Sequence, residues 1–457
     1  MTPKRDIMMK IAVVGCTHAG TAAVQEILTR HPDTIVDVFE RREDIFFLSC
    51  GIALYLEGTV DKLSSMFYAD AQGLEAMGPN IHVHLRHDVI KIDAKKHVLQ
   101  VQNMATQSKF SQSYDKLIMT TGSYPVIPPL QGISLPRVLM CKNADDAEKI
   151  KATAETAKTI AIIGGGYIGV ELAEAYSRIG RDVLFINGVH GLLSHYVDDE
   201  LRNKVADELR AHGVDTFFNE TALRFDSDGT HAFIQTDKAE HQADLAVVCV
   251  GFRAMTELLQ GQVDTMPNGA IHVNDYMQTS DPDIYAAGDS CAVHFNPTGH
   301  DAYAPLATNA VRQGKLAGRN VFGNTIRYMG TQSTSAMRLY DQTLACTGMT
   351  LHRALQAGIK ASSVTVSDAY RPEFMPDAYP IHMVLVYNEN NREILGAQFL
   401  SRHEVSQAAN LISVMIQNHN TIDDLAYVDM LFNPWYDKPW NYLNILGQQA
   451  VTQADAL

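Results

Sequence analysis

Short apolar runs that break into glycines recur along this chain. KIAVVGCTHAG (10–20) and TIAIIGGGYIG (159–169) are the same pattern twice, an apolar run followed by glycines and then by a stretch of helical character. A strand that is apolar on both faces is typical of a buried parallel sheet, and the helix after it directs its first amide groups beyond the strand's carboxyl end. The repeat therefore predicts two nucleotide-binding folds in one chain.

A second strand is predicted after each of these patterns. IVDVFE ends at Glu40 and DVLFIN ends at Asn187. Further strand candidates are KLIMTTG (116–122), DLAVVCVG (244–251) and DIYAAGD (283–289). Glycine and proline separate these segments, as expected for an alternating α/β protein.

From about residue 330 the pattern changes. MVLVYNENNREILGAQFL predicts a β-hairpin around its polar centre, and EVSQAANLISVMIQ predicts an amphipathic helix. The predicted fold class is therefore α/β, with two Rossmann-like domains and a C-terminal α+β domain. We expect the first domain to be discontinuous (1–125 and 255–330), the second to span 126–254 and the last to span 331–457.

Composition narrows the class of protein. At about 150 residues per domain, the 457 residues allow about three domains, and 46% hydrophobic with 19% charged residues is ordinary for a globular chain. Lys and Arg number 37 against 52 Asp and Glu, a net charge of -15 that disfavours nucleic acid and membrane partners. The six cysteines show neither Cys-x-x-Cys nor metal-ligand spacing, so we expect no metal site and a cytoplasmic location. The first apolar run is too short for a signal peptide.

The second glycine motif predicts a nicotinamide dinucleotide site. Gly164, Gly166 and Gly169 follow the Gly-x-Gly-x-x-Gly spacing that gives a tight turn, close approach of a pyrophosphate and close helix–strand packing. A turn with only a structural role is the alternative. Glu171 is a further candidate contact of this nucleotide, as a first-turn carboxylate that the helix dipole would favour, with no functional role as the alternative.

The residue that ends the second strand of this fold bears on which nucleotide binds. An acidic residue is expected there to accept hydrogen bonds from the adenosine ribose, but the sequence has Asn187, followed by Gly188 and His190. An amide does not repel a 2′-phosphate, and His190 is placed to contact one, although the usual arginine is missing. We therefore expect both NADH and NADPH to be used, with Gly251 as a further contact.

The first motif departs from the simple fingerprint because Thr17 stands between Gly15 and Gly20 in place of the middle glycine. Glu40 is nevertheless placed to hold ribose hydroxyls, and Asp289 follows a strand and a glycine from which a carboxylate can reach the ribityl chain of a flavin. This motif is therefore assigned to FAD. The other FAD candidates are two strand-end residues and two helix-start residues: Thr121, Gly122, Ala307 and Thr308.

One cysteine stands in a context that favours reactivity. Cys50 lies in FFLSCGIALYLEG, just before a short apolar helix candidate. A cysteine at a helix amino terminus has a depressed pKa, which makes its thiolate available as a nucleophile. A buried, inert cysteine is the alternative, and we expect Cys16 to be inert.

Together these motifs resemble the flavoprotein pyridine nucleotide-disulfide oxidoreductases over nearly the whole chain. Disulfide reductases of that superfamily have a second cysteine where this chain has Tyr55. The chain therefore resembles the single-cysteine branch of water-forming NADH oxidases, NADH peroxidases and coenzyme A-disulfide reductases. Ser49 replaces the asparagine typical of the last group, and Ala22 and Val311 replace a glutamate–arginine pair of the peroxidase. The run Leu139–Asn143 also resembles the oxidase, which is the activity that we favour.

The resemblance implies roles for several further residues. His18 would lie beside the active sulfur, with a helix-cap role as the alternative. Tyr167 would cover the flavin until nicotinamide displaces it, unless it only packs its helix. Phe432 and Trp435 lie in a segment that resembles the loop reaching the partner subunit's active site, so a homodimer or a dimer of dimers is expected. Core or interface packing is the alternative for these aromatic residues.

The implied reaction takes two NAD(P)H and one O2 to two waters. Electrons would pass through FAD, and Cys50 would alternate between thiolate and sulfenate. NADH peroxidase remains an alternative, as does coenzyme A-disulfide reductase, for which Arg41, Arg42 and Lys62 are the candidate phosphate contacts. A flavin redox sensor, or an electron donor to a protein partner, is the alternative from a different class.

Overall fold

A computed structural model describes residues 8–188 and 191–456. Its α-helices are α1 (His18–Arg30), α2 (Ile52–Glu57), α3 (Ala71–Glu75), α4 (Ala144–Ala154), α5 (Tyr167–Arg178), α6 (Asp199–Ala211), α7 (Ala307–Asn320), α8 (Leu351–Gln356), α9 (Ser406–Gln417), α10 (Ile422–Tyr427) and α11 (Tyr442–Asp455). A 3-10 turn at Ser49–Gly51 leads directly into α2.

The strands in the first half of the chain are β1 (Lys10–Val14), β2 (Ile35–Glu40), β3 (Ile81–Leu85), β4 (His87–Asp93), β5 (Val98–Asn103), β6 (Lys109–Ser113), β7 (Lys116–Met119), β8 (Ser123–Pro125), β9 (Val138–Met140), β10 (Thr159–Ile163), β11 (Asp182–Asn187), β12 (Val214–Phe218) and β13 (Ala222–Ser227). Those in the second half are β14 (Ala232–Thr236), β15 (Glu240–Ala243), β16 (Leu245–Val248), β17 (Phe252–Ala254), β18 (Ile271–His272), β19 (Ile284–Ala286), β20 (Cys291–Phe295), β21 (His300–Ala302), β22 (Ser335–Leu339), β23 (Gln342–Gly348), β24 (Ala361–Ala369), β25 (Pro380–Asn388) and β26 (Ile394–Ser401).

Two parallel sheets have the same plan. The first has the strand order β19-β7-β1-β2-β3, and the second has β12-β11-β10-β16-β9. In both, the strand before the glycine turn is central and its interior residues are buried, because sheet neighbours and helices cover them. The chain leaves the first sheet after β7, builds the second, and returns to the first with β19.

Close helix packing holds the first sheet's covering layer in place. Helices α1 and α7 lie against each other, and a Cβ atom at Gly314 or Gly318 would collide with the α1 backbone at Ala19 or Ala23. This contact fixes the amino termini of α1 and α7 relative to the strands that they follow.

The C-terminal part is a five-stranded antiparallel sheet of order β22-β23-β26-β25-β24, covered by α9 and α11. The predicted hairpin is confirmed as β25 and β26, and the predicted amphipathic helix is α9. The predicted α/β class is therefore confirmed, while the predicted domain boundaries stay predictions. Among the described residues, no helix is long and apolar enough to cross a membrane.

Candidate active site

A cavity of about 1080 Å³ lies where the carboxyl ends of both parallel sheets meet. Both glycine turns line it, although the second turn begins about 150 residues after the first. Most of the predicted site residues line it: Gly15, Thr17, His18, Glu40, Cys50, Thr121, Gly122, Gly164, Gly166, Tyr167, Glu171, Asn187, Gly251, Asp289 and Ala307. Those that do not line it are Gly20, Gly169, Gly188 and Thr308. His190 lies outside the described residues.

Backbone geometry explains the glycines of the first turn. Gly15 has φ +90°, and a Cβ atom there would collide with the carbonyl oxygen of Thr120. The Thr120 hydroxyl donates to the Gly15 carbonyl at 2.7 Å. Gly20 instead faces the Gly15 carbonyl from α1, so its role is helix–strand packing and it does not line the cavity.

Glu40 closes the first turn from the end of β2. One carboxylate oxygen accepts from the backbone N–H of Cys16 at 2.8 Å, and the other accepts from that of Arg42 at 3.0 Å. Burial raises the pKa of this carboxyl group, and the two N–H donors oppose that effect. The carboxylate is thus fixed at the cavity wall, where a ribose is expected.

The second turn repeats this geometry. Gly164 has φ +118°, and a Cβ atom there would collide with the carbonyl oxygen of Cys249. Gly169 packs against the Gly164 carbonyl as Gly20 packs against Gly15. Gly166 has no atom within 4 Å of its Cβ position, so its face is open to the cavity. That open face is what close approach of a pyrophosphate requires.

Asn187 occupies the position that corresponds to Glu40. Its side-chain oxygen accepts from the N–H of Gly165 at 2.9 Å. Its side-chain nitrogen is buried and has no hydrogen-bond partner among the described residues. A buried donor without a partner is costly, so this nitrogen is suited to an oxygen acceptor on a bound ligand.

Cys50 is the one exposed cysteine of the six. It sits in the 3-10 turn before α2, as expected, but the predicted pKa depression is wrong for this structure. The cavity walls around it raise the pKa of its thiol, the Glu171 carboxylate raises it further, and Lys142 opposes them. The helix after Cys50 has only six residues, so its dipole is too weak to reverse these effects.

The other five cysteines contrast with Cys50. Four are buried and one is partly buried, and burial raises the pKa of the Cys16 and Cys249 thiols to about 12. Cys16 also contacts the hydroxyl of Thr21 at 3.5 Å. Their burial therefore both disfavours the nucleophilic thiolate and shields the sulfur, whereas the Cys50 sulfur, whose pKa is also raised, is exposed.

His18 is the first residue of α1 and lines the cavity. Its ring packs edge-on against Phe46 with a centroid distance of 5.2 Å, and its Nε2 is buried without a partner among the described residues. Burial lowers the pKa of the imidazole, and Asp289 opposes that shift. A neutral ring with one unpartnered nitrogen is suited to a hydrogen bond inside the cavity.

The structure adds Ser123 and Lys142, two polar residues to which the sequence analysis assigned no role. Asp289 accepts from the hydroxyl of Ser123 at 2.7 Å, and the Lys142 ammonium lies 3.4 Å from the same carboxylate. Lys142 also lies 4.2 Å from the centre of the Phe252 ring. In the sequence, Lys142 could have been found only as the lysine directly after Cys141, in the run Leu139–Asn143 that resembles the oxidase.

Tyr167 leans toward the C-terminal sheet. Its hydroxyl lies 2.9 Å from the hydroxyl of Ser335 and 3.1 Å from the sulfur of Cys346, and its ring packs on Tyr196 at 4.3 Å. Tyr167 also lines the cavity. Its predicted covering role stays a prediction.

Glu171 differs from its expectation. Helix α5 begins at Tyr167, so Glu171 lies beyond the first turn and the proposed dipole stabilisation does not apply. Burial raises the pKa of its carboxyl group to about 7, and the neighbouring Glu174 adds to the shift.

The C-terminal aromatic segment is solvent-exposed in the single chain. Phe432 is 49% exposed and Trp435 is 63% exposed. Leu431 and Tyr436 beside them are each 67% exposed, so ordinary core packing within one chain does not explain this segment. A contiguous apolar surface of this kind is typical of a protein–protein interface.

Two nucleotide-binding folds that share one cavity with an exposed cysteine define a two-nucleotide oxidoreductase. The family model described as pyridine nucleotide-disulphide oxidoreductase matches residues 9–314, and that family's dimerisation domain matches residues 335–440. The chain belongs to the pyridine nucleotide-disulphide oxidoreductase family, which confirms the resemblance seen in the sequence.

Individual relatives match over almost the full length. The chain is 44% identical to an NADH oxidase of Enterococcus faecalis, over 97% of this chain and 99% of that protein. It is 49% identical to the structure of a water-forming NADH oxidase from Lactobacillus brevis bound to NADH, with a TM-score of 0.96 and coverage of 98% and 99%. An engineered water-forming NADPH oxidase made from that protein, bound to NADPH, gives the same identity, TM-score and coverage.

Proposed function

We propose that this protein is a water-forming NAD(P)H oxidase, which reduces one O2 to two waters with two NAD(P)H. The observation that carries the proposal is the exposed Cys50, which lines the same cavity as both nucleotide-binding turns. The names of the similar proteins support it, because those reported above are an NADH oxidase and water-forming oxidases. The missing glutamate–arginine pair at Ala22 and Val311 argues against the peroxidase.

The first half of the cavity fits FAD. The Gly15 turn leaves no room for a Cβ atom, and Glu40 holds a carboxylate at the wall where ribose hydroxyls would lie. Asp289 would hold the ribityl chain, and the amino terminus of α7 at Ala307 would stabilise negative charge. The remaining proposed contacts are Thr17, Gly20, Thr121, Gly122 and Thr308. FAD, when bound, would supply the transfer of electrons from NAD(P)H to oxygen.

The second half fits NADH and NADPH. Gly166 leaves an open face for the pyrophosphate, and the unpartnered Asn187 nitrogen would donate to a ribose oxygen or a 2′-phosphate oxygen. A donor serves both nucleotides, whereas a carboxylate would repel the 2′-phosphate. The remaining proposed contacts are Gly164, Tyr167, Gly169, Glu171, Gly188, His190 and Gly251.

Cys50 would decide that water rather than peroxide leaves the cavity. Its thiolate attacks one oxygen of hydrogen peroxide, the O–O bond breaks, and one water and a Cys50 sulfenate result. The unpartnered Nε2 of His18 would hold this sulfenate by a hydrogen bond. A second NAD(P)H and one proton then reduce the sulfenate: the S–O bond breaks, the sulfur returns to thiolate and the oxygen leaves as the second water.

We also propose a cytoplasmic homodimer or dimer of dimers, formed through the C-terminal domain. The exposed aromatic segment around Phe432 and Trp435 supports this surface, as does the match to a dimerisation domain. The domain limits that accompany this proposal are 1–125 with 255–330 for FAD, 126–254 for NAD(P)H and 331–457 for dimerisation.

Replacing the cavity sulfur tests the proposed reaction. We expect the wild-type protein to oxidise two NADH per O2 and to release little peroxide. Cys50→Ser should still consume O2 but oxidise one NADH per O2 and release hydrogen peroxide, because no sulfur remains to break the O–O bond. An oxygen electrode, NADH absorbance and a peroxide assay in one cuvette measure this.

Buried Cys291, which does not line the cavity, gives the matched control, and Cys291→Ala should keep the wild-type ratio. A Cys50→Ser protein that still makes only water would refute the role of the sulfur. A wild-type protein that needs added peroxide before it oxidises NADH would be a peroxidase instead.

A further inference from the structure

The side chain of Tyr167 joins the second glycine turn to the C-terminal domain. Tyr167 directly follows Gly166, whose face is open to the cavity, and it is the first residue of α5. Its hydroxyl lies 2.9 Å from the hydroxyl of Ser335 on β22 and 3.1 Å from the sulfur of Cys346 on β23. A residue of the nucleotide-binding turn is therefore hydrogen-bonded to a side chain that lies 168 positions later in the sequence.

The two residues that contact the Tyr167 hydroxyl belong to one face of the C-terminal sheet. Ser335 and Cys346 are direct partners in the antiparallel pair of β22 and β23, so their side chains lie next to each other, 3.4 Å apart. Because side chains alternate along a strand, Met337 and Leu339 share this face with Ser335. Both are buried in one apolar core with residues of α5. The polar pair extends this apolar face to the point where it meets Tyr167.

The three polar groups satisfy one another. Each of the two hydroxyls and the thiol has one hydrogen to donate and can also accept, and their three contacts close a ring. Cys346 is 4% exposed and does not line the cavity, so the Tyr167 hydroxyl is directed at a buried group behind the cavity wall. Leaving a buried polar group without its partner is costly. The closed ring of contacts therefore resists movement of Tyr167.

The aromatic ring of Tyr167 is held on two sides. It packs on Tyr196 with a centroid distance of 4.3 Å, and its hydroxyl end is bonded to the C-terminal sheet. Tyr167 also lines the cavity, so the cavity is the free volume into which the ring can turn once the hydroxyl is released. A ring in that position would occupy space beside the open face of Gly166, where the nucleotide is expected to bind.

We propose that Ser335 and Cys346 are positioning residues that keep Tyr167 out of the path of NAD(P)H, an inference that rests on the proposed nucleotide site. With the hydroxyl anchored, NAD(P)H binds to a cavity that is already open, whereas a released ring must first be displaced. A ligand binds more weakly when the conformation that accepts it is only partly populated. Loss of the anchor should therefore lower nucleotide affinity and leave the limiting rate of electron transfer unchanged.

Tyr167→Phe tests the anchor, because it removes the hydroxyl and keeps the ring. We expect the KM for NADH to rise about three- to tenfold, the factor that one net hydrogen bond gives. We expect kcat to stay within about twofold. Anaerobic flavin reduction should show the same division: the NADH concentration that gives half the maximal rate rises, and the maximal rate stays. An unchanged KM, or a lower kcat at an unchanged KM, would refute the proposal.

The same effect should arise from the C-terminal side of the contact. The double variant Ser335→Ala/Cys346→Ala should match Tyr167→Phe in its KM for NADH. Combining all three substitutions should add nothing further, because the same interaction is then removed from both ends. If the effects on KM multiply in the triple variant, the residues act separately and the proposal is wrong.

Two substitutions at position 346 separate the hydrogen bond from packing. Cys346→Ser keeps a group that can donate and accept, whereas Cys346→Ala does not, and both remove the sulfur. We expect Cys346→Ser to keep the wild-type KM and Cys346→Ala to raise it in the direction of Tyr167→Phe. Equal KM values in the two variants would show that the packing of the sulfur matters and the hydrogen bond does not, contrary to the proposal.

Ser177→Ala is the matched control for a general loosening of the contact between α5 and the C-terminal domain. The Ser177 hydroxyl lies 2.7 Å from the hydroxyl of Tyr340, just after β22, and neither residue lines the cavity. Ser177→Ala thus removes the same kind of bond between the same elements and should keep the wild-type KM. A rise equal to that in Tyr167→Phe would refute a specific role of the Tyr167 anchor.

Two further measurements do not depend on turnover. NAD+ cannot reduce the flavin, and its Kd, measured by calorimetry, should rise in Tyr167→Phe by the same factor as the KM for NADH. The infrared S–H band of Cys346, identified by its loss in Cys346→Ala, should shift in Tyr167→Phe. An unchanged Kd, or a band that does not move, would overturn the proposal.

The wild-type protein separates this inference from the proposed function. If NADH reduces its flavin and O2 then yields peroxide, the water-forming function is refuted, while the expected effects on nucleotide binding still hold. If NADH does not reduce the flavin of the wild-type protein, the proposed function and the role of Ser335 and Cys346 are overturned together.

Discussion

The two nucleotide-binding halves have the same turn geometry, but different side chains accept the hydrogen bond from the turn. In each half, the residue after the first glycine of the turn donates its N–H to the side chain that ends the second strand: Cys16 to Glu40 in one, and Gly165 to Asn187 in the other. That side chain therefore has a structural duty before it meets any ligand. The two halves differ in the hydrogen-bonding groups of this side chain that the turn does not use. These unused groups are the ones that a bound nucleotide would contact.

The unused groups have opposite hydrogen-bonding character in the two halves. Glu40 keeps further acceptor capacity on two carboxylate oxygens, which suits the hydroxyl groups of an unphosphorylated ribose. Asn187 has used its oxygen and keeps a buried amide nitrogen, which can only donate. We therefore expect the nucleotide preference of each half to depend on the side-chain group that the turn does not use.

The largest expected effect comes from the turns themselves. Gly15→Ala and Gly164→Ala each place a Cβ atom against a carbonyl oxygen at a positive φ, which costs about 2–4 kcal/mol. We expect Gly15→Ala to give a colourless, poorly soluble protein, because FAD binding and the first sheet are lost together. Gly164→Ala should stay yellow but lose reduction by NADH. Flavin absorbance and stopped-flow reduction measure the two losses separately.

Gly166→Ala is the matched control for these variants, because its Cβ position is empty. It should keep the wild-type Tm and weaken NADH binding only. If Gly164→Ala also loses its flavin, the two halves do not fold and bind their nucleotides independently.

A smaller loss is expected at Glu40. Glu40→Ala leaves the N–H groups of Cys16 and Arg42 without their acceptor, at about 1–3 kcal/mol for each buried donor. It also removes the proposed ribose contact. We expect less FAD per chain and a Tm that added FAD partly restores.

Glu40→Gln keeps one oxygen acceptor and should fall between Glu40→Ala and the wild type, both in bound FAD and in Tm. Full flavin content in Glu40→Ala would show that the carboxylate serves the turn alone.

The sequence predicts backbone features of this molecule better than electrostatic ones. Both glycine turns, the ends of β2 and β11 at Glu40 and Asn187, and the C-terminal hairpin follow from local periodicity and glycine spacing. The shared cavity of the two halves could be expected from the family resemblance. Local pattern was sufficient wherever one segment determines its own conformation.

The features that could not be predicted from the sequence depend on residues that are distant in the chain. The pKa of Cys50 rises because the cavity walls bury its thiol and, in addition, because Glu171, more than a hundred residues away in the chain, adds negative charge; the local helix-terminus argument therefore gave the wrong sign. The ion pair between Lys142 and Asp289 likewise joins two residues that are far apart in the sequence. Such effects require the tertiary arrangement, since burial and charge pairs set a pKa more strongly than sequence neighbours do.

Changes at Asn187 should have smaller effects than those at the turns or at Glu40. Asn187→Asp gives the second half a carboxylate like that of Glu40, which can still accept from Gly165 but would repel a 2′-phosphate. We expect kcat/KM for NADPH to fall about tenfold or more while that for NADH stays level or rises. Asn187→Ala removes the leftover donor without adding charge, so it should weaken both nucleotides to a similar degree. Steady-state rates with each nucleotide measure this, and an unchanged NADPH preference in Asn187→Asp would mean that other residues than the strand-end side chain set the preference.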